Sequence, residues 1–231
     1  MLEARKNGVT DEEEKRGESE SEDNNMTAAK LLNQKIHQKF EIPENAGAAI
    51  TSVHDLSLLN PRSNFSLDFF SDFAKLHGKT HDHKIMYEDI DKIFMLQKPD
   101  GIHVVFILLL SQPLRQGMTM HHFIVINLEI EREVSLHINL TPDEITAKYG
   151  SAIQPEMQGK LYDILSQLFQ KLVGIKKIIV TGEFASCRGT KSIKCAIKAA
   201  DGLLYPLRSS LVFIHKPVLY IRHSEIKCVE F

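Results

Sequence analysis

Between Ala49 and Leu140 the chain sets short apolar runs at close intervals, with turn-forming residues between them. Phe65, Leu67 and Phe69 alternate with Ser66 and Asp68. That period of two puts one face of a strand in a core and the other in water. Leu56, Leu58 and Leu59 run into a turn at Asn60-Pro61-Arg62-Ser63-Asn64. His77-Gly78-Lys79 and Pro99-Asp100-Gly101 mark the next turns, around strands expected at 85–87 and 90–96. Val104 to Leu110 is an unbroken apolar run, which reads as a strand buried on both faces. A loop is expected from Gln112-Pro113 through Gly117, then strands at 123–128 and 134–140. About seven strands joined by short turns point to an antiparallel sandwich or barrel.

At Thr141 the period changes. Thr141-Pro142-Asp143-Glu144 is a helix start, with a capping Thr, Pro in the first turn and early acids. A helix is expected from about Met157 to Val173. Its apolar residues Met157, Leu161, Ile164, Leu165, Leu168, Phe169 and Leu172 share one face, and Gly174 ends it. A strand meander closed by one long amphipathic helix is the element order of a pleckstrin-homology fold, where the helix plugs an open corner of the sandwich. Strands resume after Ile175, at 178–181, 193–198, 203–207, 211–215, 218–221 and 226–231, with no closing helix. They read as a second sandwich, cut off. Upstream, residues 10–25 (TDEEEKRGESESEDNN) carry no large apolar side chain and are expected to be disordered. Thr27 can cap a short helix bearing Leu31, Leu32, Ile36 and Phe40. The expected organisation is thus a disordered acidic segment at 1–26, a first pleckstrin-homology-like module with a leading helix at 27–174, and an incomplete second module at 175–231. The fold class is mainly β with a capping helix: a tandem pleckstrin-homology-like β-sandwich or barrel.

The formal net charge of −2 hides an asymmetry. Residues 1–27 hold four basic and nine acidic groups, and residues 151–231 hold twelve basic and six acidic ones. Different partners are expected for the two ends. Cys187, Cys195 and Cys228 have neither disulfide-framework nor zinc-module spacing, which fits a reduced compartment. The longest apolar run falls far short of the roughly 20 residues of a membrane helix, so no membrane partner is expected. Gly78-Lys79-Thr80 lacks the earlier glycine of a phosphate loop, since Phe73 stands there. His77, His81, His83 and His121-His122 are the best metal candidates. They lack a partner Glu or Cys at ligand spacing, so no metal or cofactor is assigned. No nucleophile elbow or zinc-protease motif is present. An enzyme and a small-molecule substrate are not expected. One basic residue in the turn at 60–64 is too few for stable lipid docking. Lys176, Lys177, Arg188, Lys191, Lys194 and Lys198 could track phosphates, so DNA is the alternative partner.

Several segments together resemble one family. His77-Gly78-Lys79-Thr80-His81-Asp82-His83-Lys84-Ile85, Leu114-Arg115-Gln116-Gly117-Met118-Thr119, Gly159-Lys160-Leu161-Tyr162, Gly202-Leu203-Leu204-Tyr205-Pro206-Leu207 and His215-Lys216-Pro217 follow, in order, stretches of the structure-specific recognition protein family, the small subunit of the FACT histone chaperone. His83 stands for a family Tyr, Met118 for a Gln, and Asn60 for a Thr. The resemblance implies a tandem pleckstrin-like middle domain in a nuclear, chromosome-bound complex that disassembles and reassembles nucleosomes in transcription, replication and repair. Core histones are the implied partner. In that family a dimerisation domain precedes this region, so contact with the large subunit is expected outside this chain. The surface expected to bind histones is the loop Arg115, Gln116, Gly117 with the turn Asn60, Pro61, Arg62. Arg offers a bidentate fork there and Gly allows close approach.

Ser19 has Glu20 beside it and Glu22 three residues on, the context an acidophilic kinase prefers. Phosphorylation would add roughly −1.5 to −2 charge to a segment already negative. Mass spectrometry of the native protein is expected to find phosphoserine at Ser19, and a uniformly unmodified Ser19 would refute this.

Overall fold

The computed structural model describes residues 49–149, 153–175, 177–214 and 216–230. The acidic segment, the leading helix and Ser19 lie outside the described residues. Residues 48–231 form one compact unit.

Fourteen strands and two α-helices are found among the described residues. The first eight strands are β1 (Thr51–Asn60), β2 (Arg62–Phe69), β3 (Phe73–Gly78), β4 (Asp82–Met86), β5 (Ile90–Gln97), β6 (His103–Gln116), β7 (Thr119–Glu129) and β8 (Glu133–His137). Helix α1 (Pro142–Tyr149), β9 (Glu156–Lys160) and helix α2 (Leu161–Leu172) follow. Then come β10 (Ile178–Val180), β11 (Ile193–Ile197), β12 (Ala200–Pro206), β13 (Ser210–Ile214) and β14 (Leu219–Arg222). Eight strands make one sheet in the order β10-β5-β6-β7-β1-β2-β3-β4, and β11 to β14 make a second, four-stranded meander. The fold is mainly β, a strand meander closed by an amphipathic helix as the sequence leads one to expect. The large sheet is open: β10 and β4 are its two ends, so it is a sandwich and not a closed barrel.

β1 serves both halves of the large sheet. Its first part pairs β2 and its last part also pairs β7. The register slips between Val53 and Leu56, where Asp55 takes φ 56°. A bulge of this kind bends a strand and raises its twist. The carbonyls of His54 and Asp55 left at the bend accept hydrogen bonds from the Arg132 guanidinium at 2.9 and 2.7 Å.

The expected helix 157–173 starts later, at Leu161. Met157 lies in β9 but enters the same core, and β9, with Gly159 at φ 148°, runs on to Lys160, the residue before the helix. Along α2, Leu161, Ile164, Leu165, Leu168, Phe169 and Leu172 are buried. Phe169 meets Phe69 edge-on at 5.3 Å and Phe106 at 5.5 Å. In α1, Thr141 and Glu144 form the expected reciprocal cap, Glu144 accepting from the Thr141 amide at 3.0 Å.

The unbroken run in β6 is buried on both faces, as its composition predicts. Phe106 and Leu108 face the α2 core; Val105 and Ile107 face a second core with Tyr205, Leu207, Val212 and Ile214. The boundary at 174–175 is drawn differently by the strands. β10 pairs parallel with β5 and so belongs to the first sheet, with Ile178 in the α2 core. Residues 226–230, expected as a strand, are exposed and form none, having no neighbour to pair with among the described residues.

Phe169→Ala removes the ring that joins α2 to both halves of the sandwich. The expected loss is about 3–5 kcal/mol of unfolding free energy, typical of a large-to-small core change. Urea denaturation measures it. A loss below about 1 kcal/mol would mean that α2 is peripheral to the core.

Candidate functional site

The site expected from sequence is built on strand ends. The turn expected at 60–64 narrows to Asn60 and Pro61, because Arg62, Ser63 and Asn64 already pair with Leu59, Leu58 and Ser57. The expected loop 112–117 is mostly strand. β6 runs to Gln116 and β7 begins at Thr119, leaving a two-residue turn at Gly117-Met118. Gly117 sits at φ 60°, a left-handed conformation that lacks penalty only without a Cβ. β1 stops at Asn60, opposite Val125, so the hairpin from Leu114 to His121 projects past it.

Side chains tie three turns into one rim. Asn60 donates to the Phe123 carbonyl at 2.7 Å, and its Oδ1 lies 2.9 Å from His121 Nδ1. Gln116 Nε2 reaches His81 Nδ1 at 3.3 Å, joining the β6–β7 hairpin to the β3–β4 turn. Residues directly opposite in an antiparallel pair share a face. Gln116 with Thr119 and Leu114 with His121 therefore face Asn60 and His81. Arg115 with Met120 faces the other way. Arg115 is exposed and its Nε donates to the Gly117 carbonyl at 3.1 Å.

The six expected residues thus reach one end of the sheet but divide in role. Pro61 is buried, Asn60 is half-buried and bonded to β7, and Gln116 is half-buried against His81. Arg62, Arg115 and Gly117 are exposed. Arg115 and Gln116 are not a joint donor pair, because adjacent strand residues point apart. Met118 and Met120, 96% and 54% exposed, extend the rim with apolar surface that the sequence reading did not single out. The clue was present: both stand in a run of otherwise polar residues at a turn.

The histidines read as metal candidates serve the rim instead. Among the described residues no group of three His, Cys, Asp or Glu is placed to hold a metal ion. His77 bridges Asp68 and Asp82, each at 3.0 Å. His83 is buried, its Nε2 has no hydrogen-bond partner, and its ring stacks near His81 at 6.3 Å. Burial holds its pKa below the ordinary value, and the nearby His81 and His121 push the same way against Asp82. Burial also lowers His121. In the second module Arg188, Lys194 and Lys198 are exposed and form no salt bridge among the described residues. Lys191 donates to the Gly182 carbonyl at 3.3 Å.

Comparison with known proteins follows the two modules. A family profile described as the SSRP1 PH domain matches residues 48–178. A second, described as the middle domain of the histone chaperone Rttp106-like, matches residues 191–231. The FACT complex subunit SSRP1 of Dictyostelium discoideum is 37% identical over 206 residues, 89% of this chain and 39% of its own length. The FACT complex subunit pob3 of Emericella nidulans is 35% identical over 222 residues, 96% of this chain and 39% of its own. The FACT complex subunit SSRP1 of Xenopus laevis is 31% identical over 211 residues, 91% and 30%. The chain spans at most two fifths of the length of these relatives.

His83 gives the rim a signed pH dependence. Its folded pKa is below the unfolded value of 6.5, so the unfolded chain binds more protons between the two. Stability is full above pH 6.5 and falls as pH drops through that value towards the folded pKa. His83→Phe should flatten this slope. Urea midpoints of both proteins across the range check it, and parallel curves would remove His83 from the account.

Proposed function

Since the chain belongs to the SSRP1 family, we propose that it is a non-catalytic histone-binding module of a FACT-type histone chaperone. It acts in the nucleus, on chromosomes, in nucleosome disassembly and reassembly during transcription, replication and repair. The observation that carries this reading is the pair of adjacent matches. An SSRP1 PH domain and a histone chaperone middle domain fall on two modules that share one buried core. The mechanism is competition: the module covers histone surface that otherwise meets DNA or other histones, and leaves when nucleosomes reassemble. The rim supplies the contact, with Arg62, Arg115 and Met120 on strand ends and Met118 in the tight turn between them. The large FACT subunit is the further partner of this reading.

A second reading rests on Arg188, Lys194 and Lys198, exposed and unpaired among the described residues, as a DNA-contacting face. A pull-down with histone H3–H4 tetramers against duplex DNA at matched salt separates the two. Histone capture is expected, lost in large part by Arg115→Glu, with the thermal midpoint nearly unchanged as for other exposed substitutions. Gln116 is best left alone, because it also holds His81. DNA capture without histone capture would replace the first reading with the second.

A further inference from the structure

At the other end of β2, about 25 Å from Arg62 at 3.3 Å per strand residue, the surface has the opposite character. Phe70 and Phe73 flank the β2–β3 turn, and their rings stack at 4.6 Å with planes 16° apart. Phe73, Lys75 and His77 alternate with the buried Ala74 and Leu76, so Phe73 lies on the solvent face of the sheet. Lys84 Nζ stands 4.2 Å from the Phe73 ring centroid. The turn is fastened to the short 3₁₀ turn Tyr87–Asp89. The Tyr87 amide donates to the Asp72 carbonyl at 3.1 Å, and the Tyr87 hydroxyl donates to the Phe70 carbonyl at 2.7 Å. Two exposed carboxylates stand close to this aromatic step in the chain: Asp72, next to Phe73, and Glu88, two residues past Met86, which lies opposite Phe73; Lys75, on the same face as Phe73, is paired with Asp82. Neither Asp72 nor Glu88 forms a salt bridge among the described residues.

We infer that this end of the sheet docks an extended, lysine- or arginine-rich polypeptide segment, one cation taking the Phe73 ring face and others meeting Asp72 and Glu88. The chemistry is on display within the chain. The face of an aromatic ring attracts a cation, and here it already holds one. Lys84 is the resident that an incoming side chain displaces, and its own charge opposes the incoming one. Two carboxylates unpaired among the described residues favour a cationic segment over nucleic acid, whose phosphates they repel. The stacked pair and the Tyr87 bonds hold the surface in place before binding, which keeps the ordering cost with the partner. This inference does not rest on the rim as a histone contact.

The test uses fluorescence anisotropy of a labelled Lys/Arg-rich peptide on the full chain, at low and at physiological salt. Lys84→Ala is expected to tighten binding about threefold, by freeing the ring face and removing a like charge. Asp72→Lys with Glu88→Lys is expected to weaken it about tenfold, and the milder Asp72→Asn with Glu88→Gln to weaken it in the same direction. Arg115→Glu should leave this affinity unchanged or slightly improved, so failure here is distinguishable from failure of the rim. Unchanged or weaker binding by Lys84→Ala, or charge-neutral variants that bind as the parent does while keeping its thermal midpoint, would overturn the proposal.

Discussion

Everything in this structure depends on three strands, β5, β6 and β7, being buried on both faces. On one face Ile93, Phe106, Leu108, Ile124 and Ile126 pack with α2. On the other, Phe94, Leu96, Val105, Ile107 and Val125 pack with Tyr205, Val212 and Ile214 of the second sheet. Each such side chain contributes roughly 1.5–3 kcal/mol on leaving water. A strand with one wet face would alternate, and the Val104–Leu108 segment cannot. The second sheet is therefore a requirement of the first: without it, apolar residues of three adjacent strands would face solvent. β10 fits the same logic. It extends β5 by a parallel strand and sends Ile178 to one core and Ile179 to the other.

The rim takes its rigidity from those strands. β6 and β7 continue beyond the doubly buried region as a hairpin, so Arg115, Met118 and Met120 are carried on the most constrained element of the module. A slip in the ladder between Leu109 and Leu114 marks where the core portion ends and the projecting portion begins. Past that point Leu114 still touches the α2 core, and the side-chain ties to neighbouring turns are polar: Gln116 to His81 and His121 to Asn60. The candidate site residues thus sit where packing thins out and hydrogen bonds between side chains help set the shape.

Much of this was legible in the residues. Period-two alternation located β2, and the continuous apolar run of β6 correctly announced two buried faces. Periodicity alone could not say that Met157 belongs to a strand, because Met157 occupies the helical apolar stripe and the core equally well. The hairpin at 117–118 was misread as a loop because Pro113 and Gly117 both look like breaks. Pro113 lies inside the ladder's irregular stretch, where no regular pairing is interrupted by its missing amide. Side-chain direction was the larger loss. Arg115 and Gln116 are neighbours in sequence, and a loop would have let them act together; a strand forces them apart. The His81–His121–Asn60 set spans three turns that only the sheet order brings together.

The two ends of the first sheet carry opposite electrostatic patterns. The rim carries Arg62, Lys79 and Arg115, all exposed, while Asp82, at the start of β4, is engaged by His77 and Lys75. Such a surface repels a basic tail and suits a carboxylate or a backbone carbonyl on a folded partner. The β2–β3 end has the reverse pattern, with free carboxylates beside an aromatic face that already accepts an ammonium. A partner with a folded part bearing carboxylates and an extended basic segment would meet both. In the proposed role, a module with one pole for each can hold a histone by two weak, distant contacts. Two linked weak contacts raise affinity through effective concentration, yet either can be released singly. That combination is what handing a histone on to DNA requires, since a competitor then displaces one contact at a time.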